Sequence, residues 1–247
     1  MRLDRFLVEQ GYTKTRSQAS DLIKRGLIAI DGNIQTKPGY DVKEDAFINI
    51  NQESRFVSRA GEKLNQAILD LKVSMHDKIV IDIGSSTGGF TDCALQHGAK
   101  KVYAYDVGHL QMDETLKQDI RIELHEDTNI LDVELPDADM ILIDVSFTSI
   151  KPILSHLRGF SHEIIALIKP QYEAGPIHFK QGVLKDMKIH EIILNDILHD
   201  VRQMGFSIDQ LIKSSLKGKM GNQEYVLYLK PKKNIEDITN LIRGVLC

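Results

Sequence analysis

The chain keeps two different hydrophobic rhythms, one on each side of residue 58. In the first stretch Leu3, Phe6 and Leu7 recur at helical spacing, and Gly11 closes that segment. Thr15 or Ser17 can cap a second helix in which Ala19, Leu22 and Ile23 share the inner face, with Gly26 as its stop. Short strands are expected at Leu27 to Ile30 and Phe47 to Ile50, and Asp31-Gly32 marks a tight turn between the first and the next strand. Gln52 to Arg59 is polar and reads as a linker. Residues 1–57 therefore form a small α+β module with its connection, and residues 58–247 a second domain.

Beyond residue 58 the pattern becomes an alternation of helix and strand. Apolar runs predict strands at Ile79 to Ile83, Lys101 to Tyr105, Arg121 to Leu124, Met140 to Ile143 and Ile164 to Ile168. Helical spacing falls at Glu62 to Leu71, Thr91 to His97, Ile150 to Leu157 and Ile189 to Met204. The chain closes with strands at Ser207 to Lys213 and Glu224 to Leu229, then a last helix from Ile235. Such alternation implies an α/β domain, a parallel sheet with helices on both faces. The terminal strand pair supplies an antiparallel edge.

The run Lys78-Ile79-Val80-Ile81-Asp82-Ile83-Gly84-Ser85-Ser86-Thr87-Gly88-Gly89-Phe90 is a buried strand feeding a glycine-rich turn and a helix from Gly88. A dinucleotide fingerprint needs glycine where Ser86 stands, and a phosphate-binding loop needs lysine where Phe90 stands. Without either, residues 84–90 suit S-adenosylmethionine, which carries no phosphate, better than NAD or ATP. Ligands of open α/β sheets sit beyond the carboxyl ends of the strands. Asp82 and the turn close the first strand there. Asp106 closes the second, where an acid can take both ribose hydroxyls. Asp127, Thr128 and Asn129 follow the third, where a polar group can read an adenine edge, and Asp144 closes the fourth.

The overall charge of -4 excludes nothing by itself, but residues 1 to 30 hold six basic side chains against three acids. Arg2, Arg5, Lys14, Arg16, Lys24 and Arg25 are either an RNA-binding face or a solvated helix surface. Cys93 and Cys247 provide neither a disulfide framework nor a zinc set, which suits a reducing cytoplasm. Cys93 and His97 stand four apart, a spacing that core packing explains without a metal. No run of 18 apolar residues is present, and the first 20 residues are too charged for a signal peptide. The sequence thus reads as cytoplasmic, with no membrane or DNA partner.

Lys169 ends the fifth strand before Pro170, which holds it extended and aims its amine toward Asp144. Lys63 lies on the helix before the first strand, and Glu224 begins the final one. The ordered set Lys63, Asp144, Lys169 and Glu224 resembles the K-D-K-E tetrad of FtsJ-like ribose 2′-O-methyltransferases. The strings Ser-Arg-Ala-Gly-Glu-Lys-Leu, Asp-Ile-Gly-Ser-Ser-Thr-Gly-Gly-Phe-Thr-Asp, Asp-Val-Ser-Phe and Ile-Lys-Pro-Gln-Tyr-Glu are similar to those of the TlyA-type, or hemolysin A, family. The first module resembles the α-L RNA-binding motif named for ribosomal protein S-four.

The resemblance covers essentially the whole chain. It implies a Rossmann-like S-adenosylmethionine-dependent methyltransferase sheet, rRNA or a ribosomal subunit as partner, and methylation of a cytidine 2′-hydroxyl. The near-immediate start of the first helix resembles the shorter type of the family, which implies the large subunit. In that reading Lys169 accepts the proton while Asp144 orients it, or Lys169 merely stabilises oxyanion charge. Lys63 and Glu224 position the ribose. Gln171 to Asp186 is a substrate-covering loop or a surface excursion, and Lys217 and Lys219 touch phosphates or only solubilise. Three rivals remain: a non-catalytic ribosome-assembly factor, a membrane-lytic protein, and a methyltransferase of bases or small molecules.

Overall fold

The computed structural model describes residues 1–13, 15–24, 26–43, 45–50, 55–174, 183–218, 220–231 and 237–246. Lys14, Arg25, Lys219, Ile235 and Cys247, all singled out in the sequence, lie outside them, as do residues 175–182 of the Gln171 to Asp186 segment. The chain divides into two compact units, Met1–Arg55 and Phe56–Cys247. Phe56 and Val57 thus go with the second unit rather than the linker. Phe56 is buried in its core, and Val57 N–H donates to Asp92 Oδ2 at 2.8 Å.

In the first unit, α1 (Leu3–Glu9) and α2 (Arg16–Lys24) share one core with a three-stranded sheet ordered β2-β1-β3. Thr15 caps α2, its Oγ1 accepting from Gln18 N at 3.2 Å. Strands β1 (Ile28–Ile30) and β2 (Asn33–Gln35) are joined by Asp31 and Gly32 alone. Both have positive φ, 49° and 80°, as a two-residue hairpin turn of matching twist requires. Strand β3 (Ile48–Ile50) pairs on the other side of β1.

The second unit carries a seven-stranded sheet. Its strands are β4 (Ile79–Ile83), β5 (Lys101–Tyr105), β6 (Ile122–His125), β7 (Met140–Ile143), β8 (Glu163–Ile168), β9 (Ser207–Lys213) and β10 (Tyr225–Lys230). They run in the order β6-β5-β4-β7-β8-β10-β9. The first five are parallel, and β10 is antiparallel to both β8 and β9.

Helices cover both faces: α3 (Arg59–Leu71), α4 (Gly89–Gln96), α5 (Glu114–Lys117), α6 (Lys151–His156), α7 (Pro170–Glu173), α8 (Met187–Gln203) and α9 (Ile238–Leu246). Alternation along each strand divides the core in two. Ile81, Ile83, Ile141 and Ile143 face α6, α8 and α9, while Val80, Met140 and Leu142 face α3 and α4.

Two local departures from the sequence reading matter for the site. Gly88 is not the first helical residue of α4 but its cap, left-handed at φ 89°. The helix α3 begins three residues earlier than its apolar periodicity suggests, at Arg59, so Gly61 lies in its first turn.

Candidate active site

The order of the strands decides where the polar residues meet. The sheet order reverses at β4, with β5 on one side and β7 on the other, which opens a crevice at the carboxyl ends. Gly84 N and Ser85 N both donate to Tyr105 O, at 2.9 and 3.1 Å, and fold the glycine turn over that crevice. At its glycines the turn has little room for side chains. A Cβ on Gly84, already at φ 84°, would stand 2.9 Å from Asp144 O, and one on Gly88 2.4 Å from Leu116 Cδ1.

Gly61 and Gly89 make a second close approach. A Cβ on Gly61 would lie 2.8 Å from Gly89 O, and one on Gly89 2.9 Å from Gly61 N. The N-terminal turns of α3 and α4 therefore pack backbone on backbone. This crossing brings Lys63 to the glycine turn, and it explains glycine in both motif strings.

Because β10 runs antiparallel with Tyr225 opposite Ile168, Glu224 starts its strand where Lys169 ends β8. Lys169 Nζ lies 2.6 Å from Asp144 Oδ1 and donates to Ser146 Oγ at 2.9 Å. The contact with Asp144 is an ion pair off hydrogen-bond alignment; the aligned bond goes to Ser146. Lys63 Nζ donates to Glu224 Oε2 at 2.5 Å. Gln171 Nε2, on α7, reaches Glu224 Oε1 at 3.5 Å. The structure thus resolves the tetrad into two buried ion pairs, with Lys169 7 % and Glu224 2 % exposed.

Asp82 is fully buried in the middle of β4, and Thr91 of α4 donates to its Oδ2 at 2.6 Å. Burial pushes its carboxyl up to about 7 against that hydrogen bond, with the charges of Asp144 and Asp106 adding to the rise. Asp82 Oδ1 and Ser85 Oγ are buried without a hydrogen-bond partner. Orphaned polar atoms of this kind beside an open turn fit a polar ligand, such as the amino-acid end of S-adenosylmethionine.

The other expected cofactor residues are only partly gathered. Asp106 accepts from Ser86 N at 2.8 Å and Gly108 N at 2.7 Å, so both oxygens brace backbone while keeping lone pairs for hydroxyl donors. Asn129 caps the short 3₁₀ turn Ile130–Asp132, and Thr128 Oγ1 donates to Glu126 O. Asp127 Oδ2 contacts His109 Nδ1 at 2.6 Å. Ser86 and Thr87 are exposed on the turn. Phe90 is a packing residue, 3 % exposed among Phe56, Leu64 and Ala94.

Sequence reasoning missed Ser146, Gln171 and Phe147. Phe147 is 88 % exposed, has a positive φ of 64°, and its ring centroid lies 5.1 Å from that of Tyr172. Neither its exposure nor its backbone conformation is visible in the sequence, which shows only a phenylalanine three residues after Asp144.

In the first unit the basic residues are mostly tethered. Asp4 is buried and holds Arg2 Nε at 3.0 Å and Arg16 Nη2 at 2.9 Å. The hydrogen bond from Arg2, with Arg16 behind it, keeps its carboxyl down at about 2 despite burial. Arg5 pairs with Glu9 at 3.3 Å, and Lys24 is exposed on α2. The guanidiniums remain more than half exposed and keep donors to spare. Among the described residues no group of three histidine, cysteine or acidic side chains is placed to hold a metal. Cys93 packs in the core, and His97 Nε2 meets Asn65 Oδ1 at 2.8 Å.

Comparison with known proteins agrees with this geometry. Residues 56–231 match the FtsJ-like methyltransferase family and residues 1–48 the S4 domain. The chain is 40% identical to hemolysin A of Brachyspira hyodysenteriae, covering 92% of this chain and 99% of the relative. It is 32% identical to the 16S/23S rRNA (cytidine-2'-O)-methyltransferase TlyA of Mycobacterium tuberculosis, over 93% and 89% of the two chains. Identity to the 23S rRNA (cytidine-2'-O)-methyltransferase TlyA of Campylobacter jejuni is 33%, over 92% and 98%.

A solved structure that carries a hemolysin name, from Streptococcus thermophilus, superimposes with a TM-score of 0.79. It is 35% identical and covers all of this chain and 94% of that one. A glycine turn at the sheet's reversal point, two buried Lys–carboxylate pairs above it and a match over most of the chain converge. This is a member of the FtsJ-like methyltransferase family with an S4 domain at its N-terminus.

Proposed function

We propose that this chain transfers a methyl group from S-adenosylmethionine to the ribose 2′-hydroxyl of a cytidine in rRNA. The names of both TlyA relatives include 23S rRNA, that of the Mycobacterium tuberculosis protein 16S rRNA as well, and large-subunit rRNA is the one we assign here. The observation that carries the chemistry is the buried Lys169 amine at the carboxyl end of the sheet, held between Asp144 and Ser146. An rRNA substrate makes the cytoplasm the working compartment. The hemolysin name of one relative describes that protein; among the described residues here no helix is long and apolar enough to cross a membrane.

Bound S-adenosylmethionine supplies a methyl group already activated by its sulfonium, which leaves positioning and proton removal to the protein. The glycine turn, Asp82, Ser85 and Asp106 are the residues that hold it. Lys169 takes the 2′-hydroxyl proton at Nζ, and Asp144 and Ser146 fix the direction of that amine. Lys63 and Glu224, locked to each other, place the ribose and balance the added charge. Phe147, with the Tyr172 ring against it, offers an exposed ring on which a base can stack.

The 2.6 Å ion pair supports a second reading in which Lys169 stays charged and stabilises the developing oxyanion. Lys169→Arg separates the two, since arginine keeps the charge and does not give up its proton near neutral pH. The test of the function is incubation with labelled S-adenosylmethionine and rRNA. Label should enter a ribose with the wild type and vanish with Lys63→Ala or Lys169→Ala. RNA binding without label would leave a non-catalytic assembly factor instead.

A further inference from the structure

We propose that Glu126 is a positioning residue for the cofactor, its carboxylate holding residues 107–113 in the shape that closes the ribose and adenine side of the site. The inference rests on the S-adenosylmethionine reading given above. Glu126 follows β6 and accepts hydrogen bonds from three successive backbone N–H groups. Leu110 N donates to Oε2 at 3.0 Å, and Gln111 N and Met112 N donate to Oε1 at 2.7 and 3.2 Å. Consecutive N–H groups converge in this way only when the backbone curls into a nest, which needs a left-handed residue. Leu110 supplies it at φ 48°, a conformation that a leucine does not hold without something to hold it.

The nest shapes what stands beside the glycine turn. Gln111, at its centre, has Oε1 3.0 Å from Ser86 Oγ, the donor of that bond. Its amide lies against Gly108, where a Cβ would fall 1.6 Å from Nε2. Gly108 N in turn donates to Asp106 Oδ1, the acid expected at the ribose. Met112 is buried, and a Cβ on Gly88 would meet its sulfur at 2.6 Å. One carboxylate therefore organises a chain of contacts running from β6 to the turn after β4.

Burial works to raise the Glu126 pKa, but the N–H bonds from Gln111, Met112 and Leu110 outweigh it and hold it below the ordinary carboxylate range. The anion is therefore intact throughout the neutral range. Neighbouring Asp127 adds a tie between the same two loops through His109. Glu126 itself reaches no position where a reacting atom would sit, so its effect is on binding.

The test measures S-adenosylmethionine affinity calorimetrically for the full-length wild type, Glu126→Gln and Leu110→Pro. Glutamine keeps the length but replaces one acceptor oxygen with a donor that faces N–H groups. Proline removes the Leu110 N–H and cannot adopt its φ, and Leu110 is 69 % exposed, so no core is lost. Each variant should weaken binding about tenfold, roughly 1.4 kcal/mol. KM for S-adenosylmethionine should rise in parallel, with kcat at saturating cofactor and KM for rRNA unchanged. Wild-type affinity in the variants, or a fall in kcat at saturating cofactor without a change in that KM, overturns the inference. If Glu126→Gln melts before it can be titrated, Leu110→Pro decides. A wild type that binds no S-adenosylmethionine removes the cofactor reading, and this inference with it.

Discussion

Lys169 bears on turnover and Asp82 on how stability varies with pH. Lys169 sits where the parallel strands end, with Asp144 and Ser146 as its neighbours, and Lys169→Ala removes the amine that both of them hold. We expect kcat to fall by about 10² to 10⁴-fold, the range for losing a positioned general base, with S-adenosylmethionine binding nearly unchanged by calorimetry. Lys169→Arg should be as inactive if the amine is a base. Activity near that of the wild type would instead assign it to oxyanion stabilisation.

Glu224→Ala should act on stability as well as turnover, because it leaves the Lys63 ammonium buried without its partner. A loss of about 3–5 kcal/mol in urea unfolding is the size expected for half of a buried ion pair. Asp82 makes stability depend on pH. Its folded pKa is raised, to about 7, so the folded state keeps a proton that the unfolded chain releases near 4. Its contribution to stability is full below that lower value and is lost as pH rises through about 7. Asp82→Asn should therefore gain melting temperature relative to the wild type between pH 5 and pH 8. A gap that stays constant over that interval would place the carboxyl outside this titration.

The elements show where the chain is legible and where it is not. Strands β4, β5 and β7 lie on the apolar runs that announced them, because strands buried on both faces are mostly apolar and stand out from the polar segments around them. Helices α5 and α7 and the 3₁₀ turn at Ile130–Asp132 span three or four residues each, too short for any periodicity to be seen. The start of α3 was hidden by Gly61, a residue that argues against helix by propensity and is there because Gly89 O leaves no room for a Cβ.

Much the same division holds in the site. Lys63, Asp144, Lys169 and Glu224 were readable from their order and from family resemblance. Ser146, Gln171 and Glu126 were not, since their roles come from tertiary neighbours and each is an unremarkable polar residue in its own segment. The glycine crossing gives a prediction for the element pair. Gly61→Ala should push α3 off α4, with its Cβ at 2.5 Å from Phe56 Cβ. A destabilisation of about 1–3 kcal/mol is expected for such overpacking, together with reduced turnover as Lys63 shifts. Thermal melting and initial rates of the same variant check both.

At the scale of the molecule there are two compact units: one carries the partly exposed arginines around Asp4, the other the candidate site. The Arg2 and Arg16 guanidiniums are held in place by Asp4, so on the proposed RNA-binding face they would have less side-chain freedom to lose. If each neutralises one phosphate, Arg16→Ala should lower the slope of log affinity against log salt by about 0.7 on single-stranded rRNA, or about 0.9 on a duplex. An unchanged slope would move RNA binding away from this face. Neither result touches the reaction itself, which concerns a single oxygen atom.

Methylation of a 2′-oxygen removes the nucleophile that cleaves RNA in alkali, whereas methylation of a base leaves it. The decisive measurement is therefore alkaline hydrolysis of large-subunit rRNA after incubation with the protein and S-adenosylmethionine, read at nucleotide resolution. One cytidine should become resistant with the wild type and stay labile with Lys169→Ala. Methyl incorporation into an rRNA that remains cleavable at every position would contradict ribose methylation.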